Sequence, residues 1–408
     1  MTTLTASSQA RPQVRAAWYS LLALLLLTGG GAIFYRLVGG LATTNLTSFM
    51  PWGAWVAFYI YFVGLSAGAF LLSSLIYVFG MDRFEKVGRM ALLAALVSMV
   101  VALTFIGLDL GRVDRALTAM VRFNWLSPLA WEVRFYAVYI ALLAAELWFS
   151  VRADLVKRSE TSRIARFLAF GTKETDDSGD HKWLRILGTI GIPIAIFGVH
   201  GGTGLIFAVV KARGTWFGPL FPVVFILSAL VSGTAMLTVF YVVRQLVRRR
   251  PVDTALVLDL GKLLVGFLMV DMGLFFYEML VPALSLYPHD REVIHVMASG
   301  RFAWSFWFVQ VGMAFVGPAV ILLSSLKRSW KWVTVAALSV VIGIVGVRFN
   351  IVVPALIPPL LPGLPTGDYA PNLVEWVSSA GVIALGLMLF SLAAEVLPLD
   401  QDGGATHG

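Results

Sequence analysis

The sequence predicts an all-α polytopic membrane protein with ten transmembrane helices. Three observations predict it. Hydrophobic residues fill 59% of the 408 positions and charged residues only 13%, far from the soluble average. The apolar residues gather in ten runs, each long enough for the roughly 20-residue helix that crosses a hydrocarbon core. None of these runs alternates apolar with polar positions as a membrane barrel strand does.

In order, the runs occupy 17–38, 53–79, 90–110, 129–151, 184–210, 219–243, 254–284, 302–325, 332–353 and 373–397. The first is followed by polar Thr43, Thr44 and Asn45 without a small-residue cleavage site, so it reads as a retained helix. The second follows Trp52-Gly53 and contains Ser66-Ala67-Gly68; the third closes on Asp109. The fourth carries Glu132, Arg134 and Glu146, and the fifth carries His200. The sixth follows Trp216-Phe217-Gly218 and contains Ser232-Gly233-Thr234. The seventh is the most charged, with Asp259, Lys262, Asp271 and Glu278. Arg301 borders the eighth, the ninth holds Arg348, and Glu395 lies at the interfacial end of the tenth.

The second and sixth runs echo each other, and an acid follows in the next run of each set, Asp109 and Asp271. Spans 2–5 and 6–9 would then form two related four-helix bundles, with spans 1 and 10 peripheral. Small residues at such positions allow close helix packing, although chance similarity among apolar helices gives the same pattern. The division on this reading is a tail at 1–16, a peripheral span and loop at 17–52, bundles at 53–210 and 211–353, and a Pro-rich loop, last span and tail at 354–408. The 152–183 connection, with polar Gly171 to Asp180, is flexible; the loop 354–371, with six prolines, is stiff.

Lys and Arg divide unevenly among the connections. The N-terminus and every second loop hold twenty of the thirty-one, from Arg11 and Arg15 to Lys327, Arg328 and Lys331. By the positive-inside rule both termini are cytoplasmic. The pI near 9.8 reflects this topology and implies no nucleic-acid partner.

The chain has no cysteine, and His200 alone of its five histidines lies inside a span. Iron–sulfur clusters need Cys thiolates, and a haem between helices commonly takes two histidines. A cluster, or a haem held by two histidines of this chain, is therefore excluded. Any redox metal centre belongs to a partner.

Ionisable groups inside spans are costly and mark ion, proton or substrate paths. Asp271 and Glu278 are seven apart and share a helix face; Asp259 and Lys262, three apart, can pair. The four could form a proton route or a structural ion network. His200 sits in Gly198-Val199-His200-Gly201-Gly202-Thr203-Gly204. The glycines let a flat ring or another backbone approach, and the imidazole suits proton exchange with a quinol hydroxyl. Asn45, Trp52, Tyr59, Asp109, Arg112, Asn124, Trp131, Glu132 and Tyr136 lie toward the outer surface. They offer the aromatic walls and hydrogen-bonding groups that a quinone headgroup needs, and Arg112 could hold a carboxylate ionised. Trp and Tyr at span ends also form the ordinary interfacial belt.

Thr44-Asn-Leu-Thr-Ser-Phe-Met-Pro-Trp-Gly-Ala-Trp55 and Gly64-Leu-Ser-Ala-Gly68 resemble the opening motif of the NrfD-like integral membrane subunits. The similarity continues at Leu108 to Arg112, Ser127 to Glu132, His200 to Gly204 and Ala212 to Trp216. It resumes at Pro222, Phe225, Ser228-Ala229, Gly233 and Arg348-Phe349-Asn350, so that it covers most of 44–350. The family includes membrane subunits of polysulfide reductase, a periplasmic hydrogenase, a quinone reductase complex and alternative complex III. The resemblance implies two four-helix bundles and a non-covalent menaquinone or ubiquinone site near the periplasmic side of the first. It implies no haem or cluster in this chain. It also implies a periplasmic iron–sulfur partner of the four-cluster ferredoxin-like kind, with further catalytic or cytochrome subunits. In the shorter branch of the family a His near the start of span 2 helps hold the quinone; Tyr59 takes that place here, with His200 the other candidate donor.

The sequence thus reads as a multi-pass subunit of the bacterial inner membrane, the quinone-reactive part of a respiratory oxidoreductase. On this reading His200, Asp109 and Glu132 act on the exchangeable protons. Tyr59, Asn45, Trp52, Arg112, Tyr136 and His200 hold the headgroup, and Asp271, Glu278, Lys262 and Asp259 form a proton path. The alternatives are a secondary transporter, which also uses repeats, Gly-interrupted spans and buried charge, and a passive membrane anchor. Single cysteines introduced at 175 and 366 test the orientation. The first should be labelled only from the cytoplasm and the second only from the periplasm; the opposite pattern would reverse the topology.

Overall fold

The computed structural model describes residues 12–160, 162–172 and 177–399. Most of the 1–16 tail, residues 173–176 of the 152–183 connection, and the tail from 400 onward lie outside the described residues. Among the described residues there is no strand, and ten helices are long and apolar enough to cross a membrane. They are α1 (Pro12–Thr43), α2 (Ala54–Tyr77), α3 (Asp82–Asp109), α4 (Pro128–Arg158), α5 (Ser178–Ala208), α6 (Leu220–Val247), α7 (Thr254–Leu284), α8 (Ser305–Leu323), α9 (Trp330–Leu356) and α10 (Leu373–Val396).

These helices coincide with the ten apolar runs. Several extend further: α3 begins at Asp82 and α4 continues to Arg158. Hydropathy marks the part of a helix that needs lipid, while the backbone ladder continues past it into charged sequence. The helices run alternately, so the connections lie on two faces. The termini face carries the start of α1, the end of α10 and the turns after α2, α4, α6 and α8. The opposite face carries the rest, including a short helix at Pro288–Ala298.

Local chemistry sets several helix starts. The Ser127 hydroxyl accepts from the Ala130 N–H at 3.3 Å, and Pro128 fills the first turn of α4, where no N–H is needed. The Asp253 carboxylate caps α7 through the Leu256 N–H at 3.2 Å. At α10 a capping box joins Asn372 and Glu375, each side chain accepting from the other's backbone N–H at 3.0 Å. The Glu375 carboxylate also accepts from the Asn45 N–H at 3.2 Å and from the Tyr369 hydroxyl at 2.5 Å. That hydroxyl in turn accepts from the Ala54 N–H at 2.8 Å. Burial and the adjacent Glu375 push the Tyr369 phenol up, so it stays protonated and donating. One buried carboxylate therefore ties the starts of α2 and α10 to the end of the α1 connection.

Helix α2 is the centre of the molecule: 94% of its core 18-residue stretch is buried. It packs against α3, α5, α6 and α9. Helices α4 and α5 pack on each other, α4 also on α3 and α5 on α2. Helices α7 and α8 pack on α9, and α7 also on α6. Helices α1 and α10 pair, and that pair rests on α3. The outer helices present apolar side chains outward, among them Leu27 and Phe34 on α1 and Val270 and Val281 on α7.

The crossing of α2 and α6 is the closest in this centre. A Cβ on Gly68 would lie 1.9 Å from the Ala229 carbonyl oxygen, and one on Gly233 2.3 Å from the Gly68 carbonyl carbon. These glycines belong to the two small-residue motifs that echo each other in the sequence. Helix α5 is irregular. Pro193 lacks an N–H and interrupts the ladder, and Ile194–His200 follows as a wide π-helical turn ending at His200.

Gly68→Leu should separate α2 from α6. Overpacking a closed contact costs about 1–3 kcal/mol or more, so thermal unfolding in detergent should shift clearly downward. An unchanged midpoint would show that the two backbones are not in contact.

Candidate functional site

Helix α4 shows one buried face. Glu132, Tyr136, Tyr139, Leu143, Glu146 and Ser150 are buried, while Trp131, Ala137, Val138, Ala141 and Ala144 are exposed. The spacing of four, three, four, three and four places these groups in one line, because side chains three and four apart share a helix face.

At the end of this line toward the opposite face, four side chains from three helices join. The Tyr136 hydroxyl donates to Glu132 Oε1 at 2.6 Å. The Tyr59 and Tyr136 hydroxyls lie 2.7 Å apart. Because Tyr136 spends its one hydrogen on the carboxylate, Tyr59 is the donor in that pair. Thr203 Oγ1 lies 2.6 Å from Glu132 Oε1 and 2.7 Å from the Val199 carbonyl, and its single hydrogen serves one of them. Glu132 Oε2 is buried without a hydrogen-bond partner among the described residues. A carboxylate oxygen so placed has lone pairs free to take a proton.

His200 lies on α5, one turn before Thr203, and is fully buried. Neither of its ring nitrogens has a hydrogen-bond partner among the described residues. An unpaired buried polar group costs about 1–3 kcal/mol, so its retention in a glycine-rich turn calls for a use. Its ring stands edge-on to Phe225, with centroids 6.2 Å apart. Gly64 of α2 admits it: a Cβ there would lie 3.6 Å from the imidazole and 3.7 Å from Arg348 Nη2. Arg348 of α9 is also fully buried, with its guanidinium 4.5 Å from the Phe225 ring centroid and no hydrogen-bond partner for its three nitrogens among the described residues. Imidazole and guanidinium thus meet across α2 and α6.

The other residues marked in the sequence fall elsewhere. The Asn45 side chain donates to the Ala370 carbonyl at 2.8 Å and belongs to the Glu375 clasp. Trp52 stacks on Trp216 at 5.7 Å and stands edge-on to Phe207 at 5.5 Å. Asp109 ends α3, and the cation acting on it is Arg36 of α1, which donates to the adjoining Leu110 carbonyl at 2.5 Å. Arg112 is exposed and grips Asp114 at 2.8 and 3.0 Å, because the chain leaves the helix at Leu110 and turns. The expected support of a site carboxylate by Arg112 is therefore replaced by Arg36 at Asp109. Asn124 caps a turn through the Leu126 N–H at 3.0 Å, and Trp131 donates to the Trp125 carbonyl at 3.0 Å.

The charged residues of α7 separate into two groups. Asp271 is buried, and Asp271 and Glu278 are the carboxylates acting on Arg348. Glu278 lines a cleft of about 460 Å³, its open mouth included, with Thr215, Gln310 and Asn350. Asn350 donates to Gln310 at 2.7 Å and accepts from Ser305 at 3.1 Å. Lys262 pairs with Asp259 at 2.7 Å and is largely exposed. Between Lys262 and Asp271 the helix carries only Leu, Val, Gly, Phe and Met.

Sequence reasoning gave no role to Thr203, Arg36 or Gln310. Thr203 stood inside the His200 motif, but a helical threonine ordinarily bonds back to its own backbone. Arg36 gave no signal, since it lies 73 residues from its partner.

A flat ring bearing two oxygens requires aromatic or glycine-lined walls and a proton-exchanging group at each oxygen. His200 with Glu132 and its hydroxyls supply that chemistry on neighbouring turns, and the groups fit.

Comparison with known proteins agrees with the resemblance seen in the sequence. Residues 42–359 match the family model described as polysulphide reductase, NrfD. The chain is 36% identical to a selenate reductase subunit of Mesobacillus selenatarsenatis, over 97% of both chains. It is 25% identical to the Hdr-like menaquinol oxidoreductase integral membrane subunit of Archaeoglobus fulgidus, over 92% of both. It is 24% identical to the menaquinone reductase integral membrane subunit of Nitratidesulfovibrio vulgaris, over 90% of this chain and 88% of that one. The chain belongs to the NrfD polysulphide reductase family of multi-pass membrane proteins, whose relatives here are membrane subunits of reductase complexes.

Proposed function

We propose that this subunit exchanges two electrons and two protons with a lipid-soluble quinone. The exchange takes place beside His200 and Glu132, toward the face opposite the termini. The observation that carries the proposal is a fully buried, unpartnered imidazole on α5, one turn from Thr203, with a carboxylate of α4 that Thr203 reaches and that keeps one free oxygen. His200 faces one quinone oxygen and Glu132 the other. Tyr136 holds Glu132 Oε1, with Thr203 beside it, which leaves Oε2 to move the proton. Tyr59 extends the hydroxyl chain. Both groups stay in place whether protons arrive or leave, so the site serves either direction of electron flow. Menaquinone is the favoured substrate, because two relatives carry menaquinol or menaquinone in their names.

The chain offers no Cys for a cluster, so the electrons pass to or from a partner. We place that partner, an iron–sulfur subunit, on the opposite face, with the termini in the bacterial cytoplasm. The uneven Lys and Arg support this orientation. The Asp271, Glu278 and Arg348 group stands in the other half of the molecule and serves as a charge network or a second proton route.

His200→Ala and Glu132→Gln in the intact complex should each lower quinone-coupled turnover about 100-fold or more, the scale of a lost acid–base group. Electron transfer from an artificial donor to the partner should remain. Full turnover and unchanged quinone affinity in both variants would remove the site from this pair. Asp271→Asn should leave quinone affinity unchanged; displacement of the quinone by that substitution would move the site into the second half.

A further inference from the structure

A cleft opens on the termini face, between the turn after α2 and the start of α5. It holds about 880 Å³, its open mouth included. The start of α3 lends it the carboxylates of Asp82 and Glu85, and α5 lends it His181, Lys182 and Arg185. Several charges nearby are paired: Lys86 with Asp253, Arg89 with Asp154, and Arg152 with Asp180. In the cleft the pattern differs. Asp82, Lys182 and Arg185 have no hydrogen bond or ion pair among the described residues. Both signs of charge thus line one space without closing on each other, and that space suits a group that carries both signs.

The cleft stands at the height of lipid headgroups, where the apolar part of α2 ends and that of α5 begins. One face of α5 packs on α2 below it. A Cβ on Gly188 would lie 2.7 Å from Val78 Cγ2, and one on Gly191 2.4 Å from Phe70 Cζ. Another face is exposed and apolar. Ile186 and Ile190 are 37% and 51% exposed. They follow Lys182 at intervals of four, so the three share a helix face about 12 Å long. A cation at the headgroup level with an apolar track beneath it matches the two ends of a phospholipid.

We propose that this cleft binds the headgroup of phosphatidylethanolamine, a phospholipid with a phosphate and a primary ammonium. Lys182 and Arg185 take the phosphate, Asp82 and Glu85 take the ammonium, and an acyl chain lies along Ile186 and Ile190. Basic pockets between membrane helices hold phospholipid headgroups, and charge-assisted hydrogen bonds are the strong ones. The two carboxylates add selectivity. A glycerol headgroup brings no positive charge to them, and a choline headgroup brings a charge without an N–H to donate. The bound lipid joins the turn between α2 and α3 to the start of α5. The site lies toward the face opposite His200 and Glu132 and does not depend on the quinone reading.

The test uses the whole complex purified in detergent and stripped of lipid. Added phosphatidylethanolamine should raise the thermal unfolding midpoint and stay bound through gel filtration. Phosphatidylglycerol and phosphatidylcholine should bind about tenfold more weakly, the scale of one lost charged hydrogen bond. Lys182→Ala with Arg185→Ala should weaken retention of phosphatidylethanolamine about tenfold or more. Asp82→Asn with Glu85→Gln should remove its advantage over phosphatidylcholine. Lys86→Ala, outside the cleft, should change neither. Unfolding midpoints of the stripped variants show whether the fold is kept; where a double variant is unstable, Lys182→Ala and Asp82→Asn singly supply the comparison. Equal binding of the three lipids would overturn the site, as would folded cleft variants that retain phosphatidylethanolamine like the unaltered complex. If soluble phosphoethanolamine raises the midpoint as far as the lipid does, the cleft takes a free phosphate compound and the lipid assignment fails.

Discussion

The backbone contact of α2 with α6 at Gly68 and Gly233 is the constraint on which the rest of the centre depends. In lipid, helices gain nothing from hiding apolar surface from each other, so association rests on close packing. Two glycines facing each other let the backbones touch. One turn from that crossing, Gly64 meets both the imidazole of α5 and the guanidinium of α9, and Phe225 of α6 lies against both. A side chain's width of extra separation would pull these four helices apart where their polar groups converge. The two small-residue motifs that look like an internal echo in the sequence are thus a contact in space.

The ten helices were legible because crossing a bilayer leaves a strong local signal, a long apolar run between charged ends. Local spacing was legible too: Asp259 and Lys262 pair as residues three apart on a helix can. The partners of single buried charges were not. Arg112 was read as holding a site carboxylate ionised, yet the chain leaves the helix before it and Arg112 turns to Asp114. The cation that acts on Asp109 comes from α1, and no pattern in the chain links Arg36 to it. Within the candidate site, Tyr59, Glu132, Tyr136 and His200 were all marked. The direction of their hydrogen bonds, and the place of Thr203 between them, depends on how α2, α4 and α5 are rotated against one another. Apolar periodicity in a helix buried on most sides does not encode that rotation.

The polar groups around α4 and α5 differ in chemistry from those around α7, α8 and α9. The first group gathers hydroxyls around a carboxylate, a set that can pass a proton by exchanging donors and acceptors. The second gathers a guanidinium, two carboxylates and two amides. Arg keeps its proton in proteins, and amides do not titrate, so the second set is better suited to holding charge in place. Arg348 projects from that set toward His200 across the shared boundary. In the proposed chemistry a fixed positive charge there would stabilise negative charge developing on a bound oxygen.

Helix α4 shows what such a site asks of a sequence. It is the least apolar of the ten spans, and its polar residues are not scattered. Glu132, Tyr136, Tyr139 and Glu146 fall on the buried face, while the exposed face carries Trp131, Ala137, Val138, Ala141 and Ala144. Structural hydrogen bonding explains the first three, since each has a partner on α2 or α5. It does not explain Glu146, which has none among the described residues. A leucine at that position would avoid the cost of an unpaired carboxyl, and Leu142, Leu143 and Leu147 beside it are buried.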